Sequence, residues 1–186
     1  MTGRAWAYVG FIYLFGGFLL GFSIYTFEPD SPQIIAFLIF TILATVTQLL
    51  KSEAPSHQAY HPALIFFFAG VLLLDPFLFY LLVIISHLAE WFKERLTVKG
   101  EHLQAWYIQP FNISMHIILG YCAMTVFNLI TSEPDVLTST RALIAVVCSA
   151  VTYAALNHLM VGLAISLARG VSIKESGIWA VPLSES

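Results

Sequence analysis

The sequence predicts an all-α fold: a polytopic membrane helix bundle of six transmembrane helices, with the third and fourth forming a short hairpin. Hydrophobic residues make up 59% of the chain and charged residues only 10%, with a mean hydropathy of +0.83. A soluble domain covers its surface with about 25% charged residues. This chain cannot, so its main solvent is lipid. Apart from Glu90 and Arg141, the charged residues lie outside six apolar runs: Ala5–Tyr25, Ile34–Leu50, Pro62–Leu74, Phe77–Phe92, Phe111–Ile130 and Arg141–Ala168. The small net charge of −3 gives no sign of a nucleic-acid partner.

A spanning helix needs about 20 apolar residues. The first, second, fifth and sixth runs meet that directly. The first resembles a signal peptide, but its apolar stretch to Phe27 exceeds the roughly 7–15 residues of such a segment and has no clear small-x-small cleavage site. It reads as a retained helix. The third and fourth runs are short and separated only by Asp75-Pro76. Proline disfavours helix at the residue before it, so this dipeptide reads as a turn. Spanning as a hairpin and re-entering the membrane both remain open.

Charge arbitrates between a hairpin and one long helix. With a hairpin and a cytoplasmic N-terminus, Arg4, Lys51, Lys93, Arg95, Lys99, Arg169 and Lys174 all lie inside and only Arg141 lies outside. One continuous helix would send Lys93, Arg95, Lys99, Arg169 and Lys174 out. The positive-inside bias therefore favours six spans, with both termini and a tail over residues 169–186 in the cytoplasm. The turns Glu28-Pro29-Asp30 and Glu133-Pro134-Asp135 then face out, with Asp75. The chain reads as a single membrane domain, 1–186, of a cell inner (plasma) membrane, with the lipid bilayer as its first partner.

Gly17 and Gly21 form a GxxxG, which lets helices approach closely and points to packing within the chain. Trp6, Trp91, Trp106 and Tyr107 fall near cytoplasmic helix ends, where amphipathic rings settle. The longest loop, Lys93 to Gln109, has the composition of a short interfacial helix. Cys122 and Cys148 lie in apolar runs without a CxxC spacing and read as small packing residues.

The polar residues of the membrane region gather in its inner half. His87 and Glu90 share one face of the fourth helix, and Asn112 and His116 one face of the fifth. Asn157 and His158 sit in the inner half of the sixth. His61 opens the third helix and Gln48 closes the second. Intramembrane ionisable residues are costly and mark function by default. His87, Glu90, Asn112, His116, Asn157 and His158 are therefore expected to line one pocket open to the cytoplasm. Three readings compete: interhelical hydrogen bonding alone, a polar-ligand or proton-sensing pocket, and a metal or haem site on His87, His116 and His158. The last lacks a spacing motif, so neither a metal nor a cofactor is expected. GxSxG, HExxH, P-loop and GxGxxG motifs are absent, and no pair of acids is placed for acid–base work. The chain therefore reads as non-enzymatic.

From about His61 onward further features join these: Leu72-Leu73-Leu74-Asp75-Pro76, the basic Lys93-Glu94-Arg95, Trp106-Tyr107 followed by Phe111-Asn112, then Leu167-Ala168-Arg169-Gly170 and Lys174-Glu175-Ser176-Gly177. This pattern resembles the membrane-embedded N-terminal regions that precede HD-type phosphohydrolase or GGDEF diguanylate cyclase domains in bacterial signalling proteins. The resemblance implies a sensory or anchoring role in signal transduction and carries over no catalytic residue. Trp106, Tyr107, Phe111 and Asn112 match the pattern either as binding or as packing residues. No output domain follows before Ser186, so the expectation is a fragment or a chain that works alone or with a separate partner. The alternative function is a small solute-binding or transport subunit, suggested by the short, proline-broken pair.

Overall fold

In lipid every backbone N–H and C=O must be bonded within the protein, which restricts the apolar runs to helices. The computed structural model describes residues 2–28, 31–50, 63–97, 106–131 and 139–171. Among them are six helices: α1 (Gly3–Thr26), α2 (Ser31–Leu49), α3 (Ala63–Leu73), α4 (Pro76–Thr97), α5 (Ile108–Ile130) and α6 (Thr140–Arg169). Thr2 caps α1 by accepting from the Ala5 N–H at 3.2 Å, and Ser139 caps α6 by accepting from the Ala142 N–H at 3.1 Å. Gly170, at φ +71°, closes α6 in the left-handed conformation that glycine adopts without strain.

Five of these helices are long and apolar enough to cross a membrane. Large apolar side chains face outward around the bundle, Leu14 at 78% and Leu129 at 77% exposure among them. The protein is thus a multi-pass membrane protein. α1 buries one stripe, Ala5, Val9, Ile12, Gly16, Leu19 and Ser23, whose steps of three and four residues trace a single helix face. α6, at 30 residues, is about 45 Å long and exceeds the roughly 30 Å hydrocarbon core. α3 has 11 residues and spans only about 16 Å. His61, expected to open α3, and residues 98–105 of the loop from Lys93 to Gln109 lie outside the described residues. The two ends of that loop continue α4 to Thr97 and begin α5 at Ile108.

α3 and α4 form a hairpin. Phe67 and His87 would stand about 30 Å apart in one continuous helix, yet their rings lie 5.8 Å from each other. Asp75 makes the turn by accepting the Phe77 N–H at 2.9 Å, and its own N–H donates to Gln33 Oε1 at 2.7 Å, seating the turn beside the start of α2. Other bonds give the ends of the bundle. The Thr2 hydroxyl donates to the Leu167 carbonyl at 2.8 Å, and Lys93 donates to the Leu49 carbonyl. The start of α1 and the ends of α2, α4 and α6 therefore share one end, which also holds the start of α5 through the Trp6–Tyr107 ring contact at 5.4 Å. The hairpin turn, the Phe27–Phe77 ring contact and the Arg141 bond to the Ile130 carbonyl lie at the other.

One turn beyond the hairpin, the fully buried Phe79 of α4 fits between two glycines. A Cβ added at Gly120 of α5 would sit 2.0 Å from its ring, and one at Gly70 of α3 would sit 3.2 Å from it. On α1 the close approach is at Gly16, where a Cβ would lie 2.8 Å from Ser114 Cβ. This corrects the GxxxG expectation. Gly17 and Gly21 face outward with nothing near, because Gly16 already occupies the buried stripe.

Gly120→Ala forces a methyl into the Phe79 ring, with little room for that ring to yield. It should destabilise the protein by about 1–3 kcal/mol in reversible unfolding from mixed micelles, whereas Gly17→Ala should change it by less than about 0.5 kcal/mol. Equal effects at the two positions would contradict this packing.

Candidate functional site

α4 turns Ser86, His87 and Glu90 inward, and all three are buried. A carboxyl group inside such a bundle must be hydrogen-bonded. Glu90 Oε2 accepts from Gln48 Nε2 of α2 at 2.8 Å and from Gln109 Nε2 of α5 at 3.3 Å. Gln109 uses both halves of its amide, since its Oε1 accepts from His87 Nδ1 at 3.2 Å. That bond fixes a proton on Nδ1 of His87, because an amide oxygen can only accept. The same Nδ1 lies 3.8 Å from Glu90 Oε2.

The chain continues through rings. His87 stacks on His116 of α5, with centroids 5.3 Å apart and planes 22° from parallel. His116 Nδ1 pairs with the Tyr153 hydroxyl of α6 at 2.8 Å, and those two rings are also stacked, at 6.0 Å. Phe67 of α3 closes one wall, 5.3 Å from His116 and 5.8 Å from His87. Beside the chain, Thr45 of α2 and Ser86 of α4 approach at 3.4 Å. Gln48, Glu90, Gln109, His87, His116 and Tyr153 thus form one polar path through four helices. It runs inward from the end that carries the start of α1.

Of the six residues expected to line the pocket the structure brings together His87, Glu90 and His116, and Gln48, noted at the end of the second helix, joins them. Asn112 is half-buried and stands outside the path, and Asn157 is half-buried on α6 without joining it. His158 faces outward, which corrects its expected place in the pocket. The buried face of α6 runs through Ala142, Ala145, Ser149, Tyr153 and Gly162. Five residues beyond Tyr153 is about 140° around the helix from that face. Tyr153 makes the contact given to His158. Gln109 was missed because it was assigned to the loop. Its signal was its place seven residues before His116, two turns along the same face.

Of the family-like residues, Phe111 is buried against Tyr8 with rings 6.1 Å apart, and the Tyr107 carbonyl accepts from the Tyr13 hydroxyl at 2.7 Å. Trp106 is exposed beside Trp6, at 6.5 Å. Nearby, the Arg95 guanidinium lies 4.1 Å over the Trp91 ring. Among the described residues no group of three or more His, Cys, Asp or Glu is placed to hold a metal ion. No family model, curated protein or solved structure matches the chain.

Chemically, the path can bond helices together and holds a carboxylate, two imidazoles and a phenol, each able to take up or release a proton. Glu90→Ala removes the acceptor shared by the buried Gln48 amide and the half-buried Gln109 amide and should cost about 1–3 kcal/mol of stability. Tyr153→Phe should cost about 1 kcal/mol, and His158→Ala less than about 0.5 kcal/mol. Unfolding curves of the three variants check the order. A loss at His158 as large as at Glu90 would contradict the assignment.

Proposed function

We propose that the chain is a non-enzymatic membrane sensor or anchor module of a bacterial signalling system, and that the buried polar path is its responsive element. The observation that carries this reading is the continuity of the path from Glu90 to Tyr153. It links α2, α4 and α5 to α6, the last helix before the C-terminal segment, so a change in one side chain alters how α6 is held. Buried ionisable groups in a membrane are costly and mark functional positions. The proposed partners are the lipid bilayer and a cytoplasmic output domain or separate signalling protein, with no nucleic acid.

The proposed location is the inner (plasma) membrane, with both termini cytoplasmic. Arg4, Lys93, Arg95 and Arg169 support it. All four lie at the end of the bundle that carries the start of α1, whereas Arg141 lies at the other with Glu28 and Asp75. A second reading, a small solute-binding or transport subunit, draws on the 11-residue α3 broken from α4 at Asp75-Pro76.

Two experiments check these readings. In a background with Cys122→Ala and Cys148→Ala, Glu28→Cys should react with an impermeant maleimide in intact cells and Glu94→Cys only after lysis; the reverse pattern would overturn the orientation. With a diguanylate cyclase reporter fused after Ser186, Glu90→Gln and His116→Gln should change reporter output severalfold at equal protein levels. Unchanged output, or reproducible solute uptake into proteoliposomes, would count against the sensor reading.

A further inference from the structure

We propose that the stacked His87–His116 pair carries a single positive charge near neutral pH, and that uptake of one further proton releases α6 from α5 at the Tyr153 contact. The sensor reading above, on which this rests, makes that release the movement passed to the output.

The first charge belongs on His87. Its Nδ1 already donates to Gln109 Oε1 and lies 3.8 Å from the Glu90 carboxylate, so a positive ring there faces a negative group. The second must enter His116. That ring is stacked at 5.3 Å on the first, and two imidazolium charges at this spacing repel, more strongly in a low dielectric. His116 is walled by Phe67 and by Tyr153, and Phe68 in turn meets the Tyr153 ring edge-on with ring centroids 6.4 Å apart. Charging His116 also fixes Nδ1 as a donor, so the Tyr153 hydroxyl can only accept from it and must send its own proton elsewhere. Separation of α6 from α5 admits water to both groups and relieves both costs.

The surrounding charges do not compete for this role. α2 and α3 carry no ionisable side chain; they offer Gln48 and Phe67. On α4, Lys93 turns to the Leu49 carbonyl. α1 offers Tyr8, whose hydroxyl donates to the Met160 carbonyl at 3.1 Å. On α6, His158 faces outward.

The test uses the full chain in lipid nanodiscs and protons as the only ligand. Nitrogen NMR of labelled histidines should show the pair titrating in two steps separated by at least about one pH unit. Glu90→Gln should move the first step to lower pH. Spin labels at Ile108→Cys and Arg169→Cys, in the same cysteine-free background, report the gap between α5 and α6. Between about pH 7.5 and 5, the range in which histidine changes charge, it should widen by at least about 2 Å. His116→Gln should abolish the widening, and Tyr153→Phe should leave the gap wide at both pH values. Independent titration of the two rings, or a gap unchanged by pH in the wild-type chain, would overturn the proposal. A gap that opens with acid while the fused reporter stays constant would support the latch and count against the sensor reading. A reporter that responds to His116→Gln while titration and gap show neither effect would do the opposite.

Discussion

A carboxyl group buried among membrane-spanning helices sets the terms for its neighbours. Glu90 has to be bonded wherever it sits, and the bonds it takes come from different helices: Gln48 from α2 and Gln109 from α5. Each amide is useful only if its helix is at the right height and rotation. Satisfying one side chain therefore fixes the relative register of three helices. His87 extends the constraint by bonding Gln109, and its ring stacks on His116, whose partner Tyr153 brings in α6. Nonpolar packing in lipid is weakly directional, because lipid tails are as apolar as the side chains they replace. Polar bonds between helices supply the specificity that packing lacks.

Close packing acts at a different depth. Phe79 seated between Gly70 and Gly120 sets the spacing of α3, α4 and α5 nearer the hairpin turn. The turn itself is tied to α2 through Gln33. The buried contacts near the hairpin turn are thus set mainly by shape, and those at the other end by hydrogen bonds between side chains. Shape admits little change without strain, whereas the polar path contains groups whose bonding depends on protonation. Any response built into this protein is more readily placed at the polar end, which is also where α6 leaves the bundle.

Much of the architecture was legible in the sequence. Composition, apolar run length and the Asp75-Pro76 break led to an all-helical membrane bundle with a short hairpin, and charge distribution separated the hairpin from a single long helix. The site was only partly legible. His87, Glu90 and His116 stood out because ionisable residues in apolar runs are rare. Gln109 did not, since it closes the polar loop before the apolar run at Phe111; α5 in fact starts at Ile108, with Pro110 in its first turn, where proline is tolerated. On α6, the hydropathy pattern could not say which face meets protein, because a lipid-facing surface and a buried one are both apolar. Asn157 and His158 were chosen for polarity, whereas the inward group is Tyr153, an aromatic that blends into the apolar run. The outward Gly17 and Gly21 show the same ambiguity on α1.

The central claim is that Glu90 and Gln48 are bonded to each other inside the bundle and hold α2 against α4. A double-mutant cycle with Gln48→Leu, Glu90→Leu and the pair, read by reversible unfolding in bicelles, measures that bond apart from the cost of each substitution. The account predicts a favourable coupling of about 0.6 kcal/mol or more, the average for such bonds in membrane proteins. Strictly additive effects of the two substitutions would contradict it.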